Sequence, residues 1–500
     1  IEAGKKTHFF SKVPISFGLF IDKPKVNWRY FSFPEEGTAN RNIPIPRGRM
    51  LGGSSAINGM VYVRGQRRDY DTWAQLGNQG WGWEEVSKIF LRLENFEFGD
   101  GSERGNDGPL YISSISDVNP LYEALFQSAE FLGYRRNNDY NGPNQEGISK
   151  IQATINRGKR MSAAHCYLKP AIHRKNLKII TEATIQEIIL DKKKCIGVIY
   201  KKDNEKIKVR CNEEVVISAG AVASPQILEL SGIGNPKYIK DQGIKVKHEL
   251  LAVGENFQDH MMTRIQWKLK NYKVSYNNRA RGINRFAEIF KYLHSGKGLF
   301  SLPAASIIAF LKTRTGLENP DIQIQFIPFS VESLKKRNFH DFPGMAAACY
   351  QVRPQSTGSI HINSPYIEHH PNIKFNFLSD PIDKSTLIKA FKITRSIVNA
   401  PPMDKYRDSE YSPGEVVRGD DEIENYLRET AETGFHPSGT CKMGSSINSV
   451  VDNNLKIHGI ESLRVADASI FPTIPSGNTN AACIMVGEKA SDLIKKSYRK

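Results

Sequence analysis

The chain has 500 residues, 39% hydrophobic and 24% charged, with a formal net charge of +16. That length exceeds a single small core and predicts two or three domains, while the ordinary composition excludes a disordered or fibrous chain. The charge suits a polyanion or a membrane surface, but the lysines are scattered, and no zinc-finger spacing or RNP-like aromatic motif occurs, so no nucleic-acid partner is expected. Six well-separated cysteines without a CxxC pair exclude a zinc ribbon or a disulfide scaffold, and no metal site is expected. No run of about 18 apolar residues exists, so no membrane-spanning helix is expected.

Residues 1–65 are rich in glycine, proline and aromatics and read as extended loops. Five glycines fall within Pro46–Gly65, with Arg47 and Arg49 just before Gly52–Gly53. Glycine lacks a Cβ, so main-chain N–H groups there can approach a flat or anionic group and form an anion-binding nest. Helical patterning follows at 69–73 and at 83–94, where Val86, Ile89, Phe90 and Leu93 share one face. Residues 176–190, 197–200, 207–210 and 214–219 read as strands. The last of these runs into the small-residue turn at Ala219–Gly220 and a short helix ending at Gly232, a unit that mononucleotide folds use to bring backbone against a cofactor.

From 262 to 430 the alternating segments 321–328, 358–363 and 372–377, mixed with helices, predict a largely antiparallel sheet and a second domain. His436 lies in a small-residue turn, Gly434–Gly444, which by itself leaves a structural and a catalytic role open. No Gly-x-Ser-x-Gly elbow is present. Residues 463–467 read as a buried strand ending at Asp467. A polar loop with Asn478, Thr479 and Asn480 follows, then an amphipathic helix from Ala481 whose N-terminus offers partial positive charge.

In their order along the chain these pieces resemble the glucose–methanol–choline (GMC) flavoprotein oxidoreductases. Residues 47–65 resemble the family's first signature, 218–234 its second, and Gly254–His260 its Gly-x-Asn-Leu-Gln-Asp-His element. Residues 434–444 and 463–490 are similar to its C-terminal active-site and flavin segments. The flavour is closest to the insect glucose dehydrogenase branch.

The resemblance implies an α/β fold: a Rossmann-like FAD-binding domain plus an antiparallel-sheet substrate domain, GMC/PHBH-like. The expected division is 1–261 for FAD binding (66–150 contributing to the substrate side), 262–430 for substrate, and 431–500 returning to the FAD domain. The implied reaction oxidises the CH–OH group of an alcohol or sugar, with quinone or O2 as electron acceptor. His436 would be the base and Asn480 the second active-site residue, orienting the substrate oxygen. Cofactor contacts are implied for Glu2, Arg49, Gly52, Gly53, Ser54, Asn58, Ile185, Ala219, Gly220, Asp467, Ala468, Asn478 and Thr479. Some relatives tether the flavin through a histidine where this chain has Ile57, so FAD is expected to be non-covalent.

One departure is that the family's Gly-x-Gly-x-x-Gly turn normally lies some twenty residues before the position of Glu2. The 500 residues are therefore expected to be N-terminally truncated and to fold poorly or bind FAD weakly. The alternatives are a truncated, non-catalytic homologue and a flavin-containing lyase on the same fold. A secreted location is slightly favoured by the resemblance.

Overall fold

Strands Ile307–Leu311, Ile322–Ile327 and Gly344–Gln351 are buried at every position, as expected of strands covered on both faces. They form the centre of a seven-stranded antiparallel sheet in this computed structural model, which describes residues 1–332 and 338–498. The sheet runs in the order Arg407–Ser412, Met261–Leu269, Gly344–Gln351, Ile322–Ile327, Ile307–Leu311, Gly147–Lys150, with Glu432–Thr433 joining the start of Met261–Leu269. It therefore reaches outside 262–430, taking one edge strand from 147–150.

The helix Pro381–Asn399, started by the Asp380 side chain, packs against this sheet through residues such as Leu387, Phe391 and Val398. Successive strand side chains point to opposite faces. In 322–327 this separates Ile322, Ile324 and Phe326 from Gln323 and Gln325. The register sets Gln323 opposite Tyr350, so two amides and a phenol share one face.

A second core gathers the helices Trp83–Leu93, Gly220–Leu230 and Asn480–Tyr498 around the strands Val215–Ile217 and Leu463–Val465, which pair in parallel. This is the α/β part of the fold. Helix Trp83–Leu93 buries Val86, Ile89, Phe90 and Leu93, the face expected from its spacing. The expected strand at 176–190 forms as a paired strand only over Thr184–Asp191. Glu182 sits at φ 57°, in the left-handed region, and breaks the run. The residues on either side of it bond to Glu2 instead: Glu2 N–H donates to the Ile180 carbonyl, and Ala183 N–H donates to the Glu2 carbonyl.

The end of the glycine stretch is fixed by a buried charge cluster. Glu94, fully buried, accepts from Arg64 Nε at 2.5 Å, from Arg104 Nε at 3.0 Å and from the Tyr62 hydroxyl at 2.5 Å. Burial pushes the Glu94 carboxyl up, but the two guanidiniums outweigh it and hold the group below the ordinary range. Removing one partner of such a cluster leaves uncompensated buried charge. Glu94→Ala should cost about 3–5 kcal/mol, read from urea denaturation midpoints. A loss below about 1 kcal/mol, the scale of surface pairs, would show that Glu94 does not hold Arg64 and Arg104.

Candidate active site

The glycine stretch turns where its backbone requires glycine. Gly52 and Gly53 lie at φ 94° and 53°, and a Cβ on Gly53 would meet no atom within 4 Å. Ser54 Oγ accepts from Gly48 N–H at 3.1 Å, and Asn58 N–H donates to the Ser54 carbonyl. Arg160, which the sequence reading did not single out, holds the far side. Its Nη1 donates to the Asn58 carbonyl and to Asn58 Oδ1, both at 2.7 Å, and its Nε to the Ser11 carbonyl. Burial without a carboxylate partner pulls this guanidinium down to about 9.

Arg49 stacks over Trp28 at 4.8 Å and lies close enough to Glu2 to lower its pKa, although burial raises that carboxyl overall. Arg49 Nε is buried with no hydrogen-bond partner among the described residues. Tyr167 lines a cavity of about 470 Å³, together with Gly52, Ala163, Ala164, Leu168, Ala171, Arg174, Asn176 and Leu177. It does not include His436.

Asp467 clasps the two strand-to-helix turns of the α/β part. Its Oδ2 accepts from Gly220 N–H at 2.8 Å and Ser224 Oγ at 2.6 Å, and its Oδ1 from Ser469 N–H at 2.8 Å. Gly220 is at φ 85° with open space beside it, and the exposed Ala219 precedes it. Ala468 accepts from Gly439 N–H, which lays the His436 turn against this clasp. Ile185 sits half-buried in strand Thr184–Asp191, opposite Tyr200.

His436 is buried, and its peptide is pinned from both sides. Phe435 adopts φ 65°, unusual for a bulky residue. Thr433 Oγ1 accepts from its N–H at 2.7 Å, and Arg47 Nη2 donates to its carbonyl at 2.7 Å. The His436 N–H donates to Asp259 Oδ1 at 2.9 Å. Gly434 must lack a side chain, because a Cβ would stand 3.0 Å from His436 Nδ1 and 3.1 Å from His260 Cβ.

Three hydrogen bonds fix the ring protons. His260 Nε2 lies 3.0 Å from the Val352 carbonyl, which can only accept, so His260 carries its proton there. Burial holds His260 down at about 4, and burial, with the positive charge of Arg47 nearby, holds His436 well below the ordinary histidine range, so both rings are neutral. His260 Nδ1 is then bare and accepts from His436 Nδ1–H at 2.9 Å. This leaves the lone pair of His436 on Nε2, 3.0 Å from Asn478 Nδ2, which donates to it. Gln323 and Gln325 donate to Asn478 Oδ1 at 3.1 and 3.3 Å, which orients that amide.

Asn480 is not the amide on His436. It opens the helix Asn480–Tyr498, and the contact belongs to Asn478, two residues earlier. The cause is Gly477, at φ 116°, where a Cβ would stand 2.7 Å from Val63 and 3.0 Å from Gln323 Oε1. The loop presses against the glycine stretch there and aims Asn478 at His436. Ser476, tied to the buried Asp69 by its N–H and hydroxyl at 2.7 and 2.8 Å, steadies the same loop. Thr479 is buried behind it, its carbonyl accepting from Cys483 N–H. Gln323, Gln325 and Tyr350 were given no role from the sequence, and His260 was marked only as the end of the Gly254–His260 element; for the glutamines the local signal was their recurrence at every second position of an otherwise apolar strand.

A buried neutral imidazole with a fixed Nε2 lone pair, beside an oriented amide, can take a proton from a hydroxyl. The GMC oxidoreductase family model matches residues 28–262 and again 354–487. The chain is 37% identical over 495 residues to the oxygen-dependent choline dehydrogenase of Photobacterium profundum, covering 98% of this chain and 87% of that protein. It is 38% identical over 490 residues to the enzyme of the same name from Brucella anthropi, covering 97% and 88%. Among solved structures, pyridoxine 4-oxidase from Mesorbium loti superposes with a TM-score of 0.89 at 25% identity, covering 100% of this chain and 94% of that one. A FAD-dependent oxidoreductase from Chaetomium thermophilum gives 0.89 at 26% identity, with the same coverage. With both family segments in place and relatives matching nearly its whole length, the chain belongs to the GMC oxidoreductase family.

Proposed function

We propose that this protein oxidises the CH–OH group of a small alcohol, with FAD as non-covalent cofactor and His436 as the base. The observation that carries the reading is the lone pair of His436 Nε2, fixed by His260 and faced by Asn478. The names of the relatives favour a choline-type amino alcohol over a sugar.

The residues fit a dinucleotide cofactor. Gly53 and Gly220 each leave open space where a Cβ would stand, and Arg49 Nε is a buried donor without a partner among the described residues. Arg49, Gly52, Gly53 and Gly220 would hold the phosphate-bearing portion, with Glu2 beside Arg49 for the sugar hydroxyls. When bound, FAD supplies the hydride acceptor. An alcohol carbon gives up hydride readily only as its O–H proton leaves, so His436 Nε2 takes that proton. The substrate hydroxyl replaces Asn478 as the partner of His436 Nε2, and Asn478 Nδ2 then donates to the substrate oxygen, with Gln323 and Gln325 holding the amide oxygen in place. Helix Asn480–Tyr498 offers its N-terminal partial charge nearby.

Three outcomes test the reading. The purified chain supplied with FAD should be yellow and should bleach under anaerobic choline or a related alcohol; a protein that takes up no flavin overturns it. His436→Ala should slow that bleaching by about 10²–10⁴-fold. Asn478→Ala should slow it by about tenfold or more, the scale of one lost hydrogen bond to a developing charge, whereas Asn480→Ala should stay within about twofold; the reverse order would return the role to Asn480.

His260 gives a pH test. Its folded pKa, about 4, lies below the ordinary histidine value, so below pH ~6.5 the unfolded chain binds a proton there that the folded chain refuses. That contribution is intact above pH ~6.5 and is lost as pH falls toward 4. Between pH 7 and 4 the stability of the wild type should therefore fall by about 3 kcal/mol more than that of His260→Gln, measured by urea denaturation at each pH. Parallel curves would show that His260 is not held neutral.

A further inference from the structure

Surface helices of globular proteins turn their apolar stripe inward. The helix Gly282–Ser295 does the opposite. Ile283, Phe286, Phe290 and Leu293 share one face, and they are 80%, 61%, 71% and 76% exposed. The contacts that tie the helix down lie on its other side, where Tyr292 packs beside Phe300 and polar groups pair. Arg279 pairs with Glu288 at 2.7 Å, Glu288 Oε2 also accepts from Leu299 N–H, and the Tyr292 hydroxyl donates to the Gly158 carbonyl at 3.0 Å.

The flanks of the exposed stripe are basic. Between 279 and 297 the sequence has five Arg or Lys (Arg279, Arg281, Arg285, Lys291, Lys297) and one acid, Glu288, already engaged by Arg279. Arg285 and Lys291 lie to either side of the apolar stripe on a helical projection, both exposed, as is Lys297 just beyond the C-terminus. A large apolar stripe with cations on both shoulders is the pattern of a helix lying in the plane of a lipid interface. No described helix of this chain is long and apolar enough to cross a membrane, and at 14 residues this one suits a seat on the surface.

We propose that the helix Gly282–Ser295 docks the protein onto an anionic lipid surface. Ile283, Phe286, Phe290 and Leu293 enter the acyl boundary, and Arg285, Lys291 and Lys297 meet the lipid phosphates. Charge complementarity favours lipid over a second copy of the chain. Self-association through this stripe would bring two sets of unpaired cations together, whereas an anionic leaflet neutralises them.

The test uses the full chain with phosphatidylcholine vesicles, with and without phosphatidylglycerol, in a flotation assay. Binding should require phosphatidylglycerol and weaken as salt is raised. Phe286→Ser/Phe290→Ser and Arg285→Glu/Lys291→Glu should each lower the vesicle partition coefficient by about tenfold or more, the scale expected for two near-surface cations or two buried aromatics. All four side chains are exposed, and circular dichroism checks that each variant folds. Absence of binding to phosphatidylglycerol vesicles overturns the proposal, as does binding that neither pair of substitutions weakens. A dimer in sedimentation without lipid that Phe286→Ser/Phe290→Ser dissociates, with vesicle affinity unchanged, assigns the face to self-association and also overturns it.

Discussion

A carbonyl oxygen can only accept a hydrogen bond, and at Val352 that asymmetry passes through two histidines to the centre of the site. It requires the His260 proton on Nε2, which bares His260 Nδ1, which requires the His436 proton on Nδ1, which bares His436 Nε2. This proton order holds only while both rings are neutral, and burial of both secures that. Val352 follows the strand Gly344–Gln351, so the large antiparallel sheet determines the tautomer of His436, which belongs to the turn before the C-terminal segment. Substrate-side architecture and proton chemistry are joined by these two hydrogen bonds.

The same turn is tied to the cofactor side. Arg47, from the glycine stretch, donates to the Phe435 carbonyl and helps hold that residue at φ 65°; a conformation costing about 1–3 kcal/mol persists only where its neighbours over-determine it. Gly477 brings the Asn478 loop against Val63 of the same stretch. Arg160 and Glu94 fix the middle and the end of the stretch through buried, multiply bonded charges. A displacement of the glycine turns is thereby felt at the base and at the amide that faces it.

Much of this was legible in the sequence because backbone constraint leaves residue-level marks. Gly52 and Gly53 occupy left-handed conformations, Gly220 turns strand into helix, and all three stood out as glycines in company. His436 was found through its surrounding turn. The choice between Asn478 and Asn480 was not legible, because an Asn-Thr-Asn run is the same string whichever residue points inward, and the direction is set by the φ of Gly477. Gln323 and Gln325 were visible as polar positions on an alternating strand, but which face held the site depended on a register with residues 344–351. Arg160 left no local mark, since its partners lie over 100 residues away. The helix 282–295 was similarly opaque: periodicity reveals that an apolar face exists, not whether anything covers it.

The use of a histidine, rather than a carboxylate, against His436 Nδ1 has a chemical consequence. In a Ser-His-Asp arrangement the carboxylate orients the imidazole and also stabilises its protonated form. Here Asp259 is close, but its Oδ1 is occupied by the backbone N–H groups of His260 and His436 and its Oδ2 by Thr433. It positions both histidines through their peptides and leaves the ring bond to a neutral acceptor. His260 thus selects the tautomer without adding an anion that would raise the basicity of His436 and fill its lone pair with a proton before substrate arrives. With Arg47 adding positive potential nearby, the resting ring stays unprotonated. For His436 as the proposed base, the cost is a less stabilised imidazolium once a proton has been taken, so that proton is readily released, which suits a group that must be restored on every turnover.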